Sequence, residues 1–233
     1  MTLETFHIIT PCSRPNSLEK LKENILNVEK NRAVIWHVCF DSLATKESEK
    51  AKAKKILNED WIRVYEASSF KTNPGKAQIN FVLTHFYLNM FRGFINVLDD
   101  DNLLPPDFFS YDYDKGECLI YLLPQFRGKD SPSNQNPTEP TIPVPGVGNG
   151  IDKAGTDQAQ IVIHSDILHF YPLMYTADGL VAQGVCSSHN YRILEKPIVY
   201  YNKLLESKAS HCTKKLKRES WPYGCSPANA LFP

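Results

Sequence analysis

The sequence has no excess of charge of either sign. Its 26 Lys and Arg residues balance 26 Asp and Glu, so there is no overall basic field to collect nucleic acid or an anionic membrane. Any anion the chain binds is therefore expected at a local site. Apolar runs are short: stretches such as Phe94–Leu98 with its flanks fall far below the roughly 20 residues that span a bilayer. The opening Met1–Thr10 lacks the layout of a signal peptide. No C-x-x-C pair occurs among Cys12, Cys39, Cys118, Cys186, Cys212 and Cys225, which argues against a zinc site. Without an export signal, a disulfide framework is not expected either. These absences imply a soluble, cytoplasmic chain with reduced thiols, no membrane span and no nucleic-acid partner. No internal repeat is apparent.

What is present suits one α/β domain. At 233 residues and 42% hydrophobic content the chain can bury a sizeable core. Phe6–Thr10 reads as a β-rich run broken by Pro11-Cys-Ser-Arg-Pro15, before a helix with Leu18, Leu21, Ile25 and Val28 on one face. Asn16 followed by Glu19 is a variant of a capping box. Val34–Phe40 predicts a second strand, Thr45–Asn58 a Lys/Glu/Ala-rich helix and Ile62–Glu66 a third strand. Lys76–Phe91 predicts a helix with an apolar stripe of Ile79, Val82, Phe86 and Met90, leading to the buried strand Phe94–Leu98. This β-α-β-α-β alternation implies a mostly parallel, twisted sheet flanked by helices. The second half is less regular, with strands expected at Glu117–Leu123, Ala159–His164 and Ile198–Asn202 and a short helix at Asp178–Cys186. Between them, residues 129–150 are rich in Pro, Gly, Ser and Asn and read as a long mobile loop, either a lid or a spacer.

The chemistry centres on Asp99-Asp100-Asp101-Asn102, placed directly after the fourth strand. In open α/β sheets, ligands bind at the carboxyl ends of strands. Three adjacent carboxylates in a cleft repel one another unless a cation sits among them. A divalent ion held by one or two of them, Mn2+ or Mg2+, keeps open positions for phosphate oxygens. It would stabilise a departing diphosphate as a Lewis acid. The bland alternative is a solvated acidic turn, against which the preceding apolar strand and Pro105-Pro106 argue.

With these residues in view, the sequence resembles the GT-A glycosyltransferases. The nearest pattern is that of the β-1,3-glucuronyltransferases, carried by Thr10-Pro11-Cys12-Ser13-Arg14-Pro15, Trp36-His37-Val38, Asp41-Ser42, Gly75-x-x-Gln78-x-Asn80 and Asp99–Asn102. It covers about residues 6–109, a little under half of the chain. Size and the lack of an anchor resemble the compact glycosyltransferases of large algal viruses, which would place the protein in host cytoplasm. The resemblance implies transfer of a sugar from a UDP-sugar donor to a glycan or glycoprotein acceptor. Thr10, Pro11, Cys12 and Arg14 would hold the uridine, with Asp41 accepting from the uracil N3–H. Asp99 and Asp100 would contact the ribose or donor sugar, and Asp101 would ligate the metal, joined by Asp99. The first turn is one residue shorter than the glucuronyltransferase pattern and lacks its aromatic residue, and Pro74 and Ile79 replace arginines, so donor specificity does not carry over.

Further candidates lie on both sides of the acidic triplet. Lys76, opening a helix after Gly75, would supply positive charge to a phosphate, or is only an exposed helix lysine. His211, in a segment with Lys214, Lys215, Lys217 and Arg218, would complete the metal shell, or belongs to a solvated basic tail; His189 is its reserve. Asp178 would act as the catalytic base toward the acceptor hydroxyl, or simply cap a helix. Asp157 is the weaker choice for a residue lining the sugar pocket. A single domain over residues 1–233 is expected, with a donor half at 1–110 and an acceptor half at 111–233. Competing readings are a nucleotidyltransferase, disfavoured by the lack of glycine in the first turn, a metal-dependent nuclease, disfavoured by the charge balance, and a catalytically silent sugar-nucleotide-binding module.

Overall fold

A computed structural model describes residues 4–43, 45–68, 75–127, 156–168 and 177–201. The expected loop at 129–150 and the expected ligand His211 lie outside the described residues, as do Cys212 and Cys225. The remaining four cysteines are free thiols.

The strands are β1 (Phe6–Cys12), β2 (Val34–Asp41), β3 (Ile62–Ala67), β4 (Phe94–Val97), β5 (Ile120–Leu122), β6 (Gln125–Arg127), β7 (Ile161–His164), β8 (Tyr191–Ile193) and β9 (Val199–Tyr201). The helices are α1 (Leu18–Asn27), α2 (Glu47–Ile56), α3 (Lys76–Leu88) and α4 (Ala177–Ser188). Seven strands form one sheet in the order β3-β2-β1-β4-β7-β5-β8, and β6 pairs with β9 beside it. The β3-β2-β1-β4 run is parallel throughout, whereas β7 is antiparallel to both β4 and β5. The fold is thus the α/β architecture with a mostly parallel sheet that the element pattern predicts.

Alternation along the strands sorts side chains to two apolar layers. Phe6, Ile8, Trp36, Val38 and Phe94 pack with α1 and the Phe108–Tyr113 segment; Ile9, Cys39, Ile95 and Val97 pack with Ile79, Val82 and Phe86 of α3 and Val181 and Val185 of α4. Both faces of the sheet are covered, as parallel sheets require.

Three local expectations need correction. Pro11 does not end β1, which runs on to Cys12. The Thr5 and Ile9 carbonyls accept from Phe94 and Leu98, so odd residues of β1 direct their backbone groups toward β4. Pro11 lies past the last β1–β4 pair, Ile9 with Val97, where its missing N–H removes no rung. The capping box at Asn16 does not form: Pro15–Ser17 make a 3-10 turn, and α1 starts at Leu18 without a side-chain cap. The Ser17 hydroxyl instead donates to the carbonyls of Arg14 and Asp100 at 2.8 and 2.5 Å. Met90 leaves the apolar stripe because α3 ends at Leu88; Met90 has φ 54° and is 71% exposed.

Candidate active site at the ends of β1 and β4

The chain moves from β1 outward to β2 and β3, then returns to the other side of β1 as β4. Connections on the two sides of this switch leave opposite ways, opening a crevice at the carboxyl ends of β1 and β4. Ser13 and Arg14 follow β1 into it, and Asp99–Asp101 follow β4.

The three aspartates have different surroundings. The Asn102 N–H donates to the Asp99 carbonyl at 3.2 Å and closes a turn, which sends successive side chains different ways. Asp100 is 1% exposed and is consumed by the β1 end. One of its oxygens accepts from the Ser13 and Arg14 backbone N–H groups, both at 2.8 Å; the other accepts from Arg14 Nε at 2.8 Å and from Nη2. Arg14 Nη1 reaches Asp101 at 2.8 Å, so one guanidinium spans both carboxylates. Burial pulls the Arg14 pKa down, but Asp100 and Asp101 outweigh it and hold the group above its ordinary value. Burial raises the Asp101 pKa; Arg14 opposes the rise, and the neighbouring Asp100 and Asp157 charges add to it.

Asp99 is half-buried, and its Oδ1 accepts from Gln158 Nε2. The Oε1 of the same amide accepts from the Lys76 ammonium at 2.7 Å. Lys76 lies in the first turn of α3, which the left-handed Gly75 (φ 87°) sets against β1: a Cβ on Gly75 would stand 3.4 Å from the Pro11 ring. Sequence reasoning did not single out Gln158. The local signal near it was the capping box Asp157-x-x-Gln160, which forms here at the start of a 3-10 turn, Gln158–Gln160.

The structure thus brings together Arg14, Lys76, Asp99, Asp100, Asp101 and Asp157. Asp157 Oδ1 caps its own turn by accepting from the Ala159 N–H at 2.9 Å, and its charge is felt at Asp101. Thr10 and Cys12 point elsewhere. The Thr10 hydroxyl is fully buried and accepts from Trp36 Nε1 at 2.9 Å, and the Cys12 thiol is buried in the apolar layer beneath α1. Their side chains belong to the core, which leaves backbone as what that stretch of β1 presents. Pro11 is buried against Gly75. Asp41 ends β2, 4% exposed, with Oδ1 accepting from the Leu43 N–H at 2.9 Å. Asp178 falls in the first turn of α4, and His189 lies just past that helix, its backbone N–H donating to the Val185 carbonyl at 3.0 Å. Among the described residues, no three His, Cys, Asp or Glu side chains converge as a ready metal cage.

No described protein family matches the sequence, and no curated protein matches it in sequence. Solved structures do match the fold. TarS from S. aureus, residues 1–349 in complex with UDP-GlcNAc, superposes with a TM-score of 0.62 at 14% identity, over 91% of this chain and 61% of that one. The present chain therefore spans about three-fifths of that structure's length. The mannosyltransferase PcManGT from Pyrobaculum calidifontis, in complex with GDP-Man and Mn2+, gives a TM-score of 0.56 at 10% identity, over 91% of this chain and 60% of that one. A 4-diphosphocytidyl-2C-methyl-D-erythritol synthase gives 0.51 at 11% identity, over 91% and 96% of the two chains. At these identities the likeness concerns the fold.

Proposed function

We propose that this protein is a metal-dependent glycosyltransferase that moves a sugar from a UDP-sugar to a hydroxyl of a glycan or glycoprotein. The observation that carries the reading is the junction of β1 and β4, where Arg14 ties the strand ends together beside Asp99 and Asp101. The resemblance of residues 6–109 to glucuronyltransferases and the UDP-GlcNAc held by the TarS structure support a uridine donor.

The residues present fit a divalent cation. Among the described residues, four carboxylates, Asp99, Asp100, Asp101 and Asp157, gather with two cations, Arg14 and Lys76, so these six groups together are net negative when all are ionised. Asp101 and Asp99 would hold the ion, His211 remaining the candidate further ligand. A hard cation needs only one or two carboxylates when phosphate oxygens and water complete its shell, so a three-ligand protein cage is not required. When bound, Mn2+ or Mg2+ supplies charge neutralisation to the leaving diphosphate.

The protein groups position and hold protons. Arg14 holds Asp100 inward, which sets the direction of Asp99 and Asp101. Lys76, at a helix amino terminus, favours the phosphates, because ammonium and helix dipole act with the same sign. Asp41 accepts from the base. Asp178 or Asp157 takes the proton of the attacking hydroxyl; Asp157 lines the crevice and its cap uses only Oδ1. Residues 1–110 supply most of the donor site and 111–233 the acceptor site, within one domain whose sheet both halves build.

The test is a thermal-shift screen of UDP- and GDP-sugars with and without Mn2+, followed by donor hydrolysis and transfer assays. A ligand at 100 times its Kd stabilises the folded state by about 2.7 kcal/mol. Stabilisation by a UDP-sugar only with metal, lost together with turnover in Asp101→Asn, is expected. Full turnover in that variant would overturn the reading. The likeness to the diphosphocytidyl synthase favours nucleotidyl transfer as a second reading; release of pyrophosphate from a nucleoside triphosphate, with no sugar transfer, would select it.

A further inference from the structure

We infer that Gln158 is a positioning residue whose side-chain amide bridges Lys76 and Asp99, and so sets the phosphate-facing cation and the acidic strand end in one fixed relation. The inference rests on the glycosyltransfer reading and extends it to a residue from the second half of the chain.

The amide sits between two charged groups of opposite sign. Oε1 accepts from the Lys76 ammonium at 2.7 Å, and Nε2 donates to Asp99 Oδ1. Flipping the amide would set an NH2 against an ammonium and a carbonyl against a carboxylate, so its orientation is determined by its neighbours. A carboxylate at this position would keep the first bond and lose the second; an apolar side chain would lose both. The three groups come from the start of α3, the end of β4 and the 3-10 turn before β7, so the amide joins elements that are remote in sequence.

The fold holds Gln158 firmly. It is 3% exposed. Buried Asn96 of β4 donates to the carbonyls of Ala159 and Ile161 at 3.0 and 2.9 Å and clamps the segment to the sheet. The Asp157–Gln160 box fixes the turn that contains it, Gln160 Nε2 donates to the Leu123 carbonyl at 3.0 Å, and the Leu123 N–H returns a bond to the Gln160 carbonyl at 2.8 Å. Groups locked in this way pre-organise a site, because no reordering is needed when the ligand arrives.

The experiment titrates UDP, and GDP in parallel, into the full chain by calorimetry in the presence of Mn2+, with donor KM and kcat measured alongside. Gln158→Leu is expected to weaken nucleotide binding about tenfold, the effect of losing a hydrogen bond to a charged group. Gln158→Glu, equal in volume, controls for packing; it is expected to stay folded and to weaken binding at least as much, because it faces Asp99 with like charge. Lys76→Met combined with Gln158→Leu is expected to be no worse than the poorer single variant, because the bridge acts as a unit. Donor KM is expected to rise more than kcat falls. Wild-type affinity in Gln158→Glu, or full additivity in the double variant, would remove the bridge while leaving the glycosyltransfer reading in place. A wild-type chain that takes up neither UDP nor GDP would overturn both.

Discussion

Asp100 and Asp101 are neighbours in sequence with the same charge, yet one is a structural anchor and the other a candidate ligand. The difference comes from Arg14. Its guanidinium, with the backbone N–H groups of Ser13 and Arg14, saturates Asp100, whereas Asp101 receives one guanidinium nitrogen. Replacing Arg14 with Ala strands a buried carboxylate. Breaking a buried pair costs about 3–5 kcal/mol; here about 2 kcal/mol is expected, because the Arg14 side chain is 38% exposed and the backbone donors remain. Urea unfolding of the variant measures this. Arg14→Lys is expected to recover only part of the loss, since an ammonium lacks the planar fork that spans two carboxylates. The acidic triplet and Arg14 were legible as residues, but their division of labour was not. It depends on which way a turn points each side chain, and that turn is tied to the segment after β1 by contacts 83–87 residues apart in sequence.

At the scale of elements, β4 places the acidic turn, and Gly93 determines where β4 begins. Gly93 has φ 132°, and a Cβ there would lie 1.9 Å from the Thr5 carbonyl oxygen, the group that accepts from the Phe94 N–H. Gly93→Ala must therefore push β4 away from β1. A loss on the order of 3 kcal/mol is expected, from backbone strain and a broken strand contact. In a chain of this size that corresponds to a Tm lower by roughly 6–12 °C, readable by calorimetry or circular dichroism. The strands and helices of the first half were legible because their apolar spacing is local and repeats with the period of the element. Asn16 misled because its capping pattern competes with Pro15 and with the pull of the Asp100 carbonyl on Ser17. The expected strand Ala159–His164 took in the last two residues of the turn that carries Gln158, since buried residues in a row carry no period.

For the whole molecule, a buried histidine pair sets the response to acid. His7 Nδ1 lies 3.1 Å from His37 Nε2; the outer nitrogens meet the Arg92 carbonyl and the Tyr65 hydroxyl, each at 3.1 Å, and Phe86 and Phe91 close over the rings. Burial is the main cause that lowers the His7 pKa to about 4 and holds His37 well below its ordinary value. The folded state therefore keeps both rings neutral, whereas the unfolded chain takes up protons below about pH 6.5. Stability is expected to be level above pH 6.5 and to fall between 6.5 and 4, with a slope approaching about 1.4 kcal/mol per pH unit for each histidine. Urea midpoints across that range measure it, and His7→Gln should flatten the slope. The sequence by itself determined the α/β class, the strand that ends in aspartates and the parallel order of the first half, because periodicity, turn residues and short-range spacing are properties of adjacent residues. Only the tertiary structure decided that β4 returns beside β1, that Asp100 turns inward and that Gln158 joins Lys76 to Asp99. Those outcomes depend on pairings between distant segments, whose free energy appears only when the sheet closes and removes the polar groups from water.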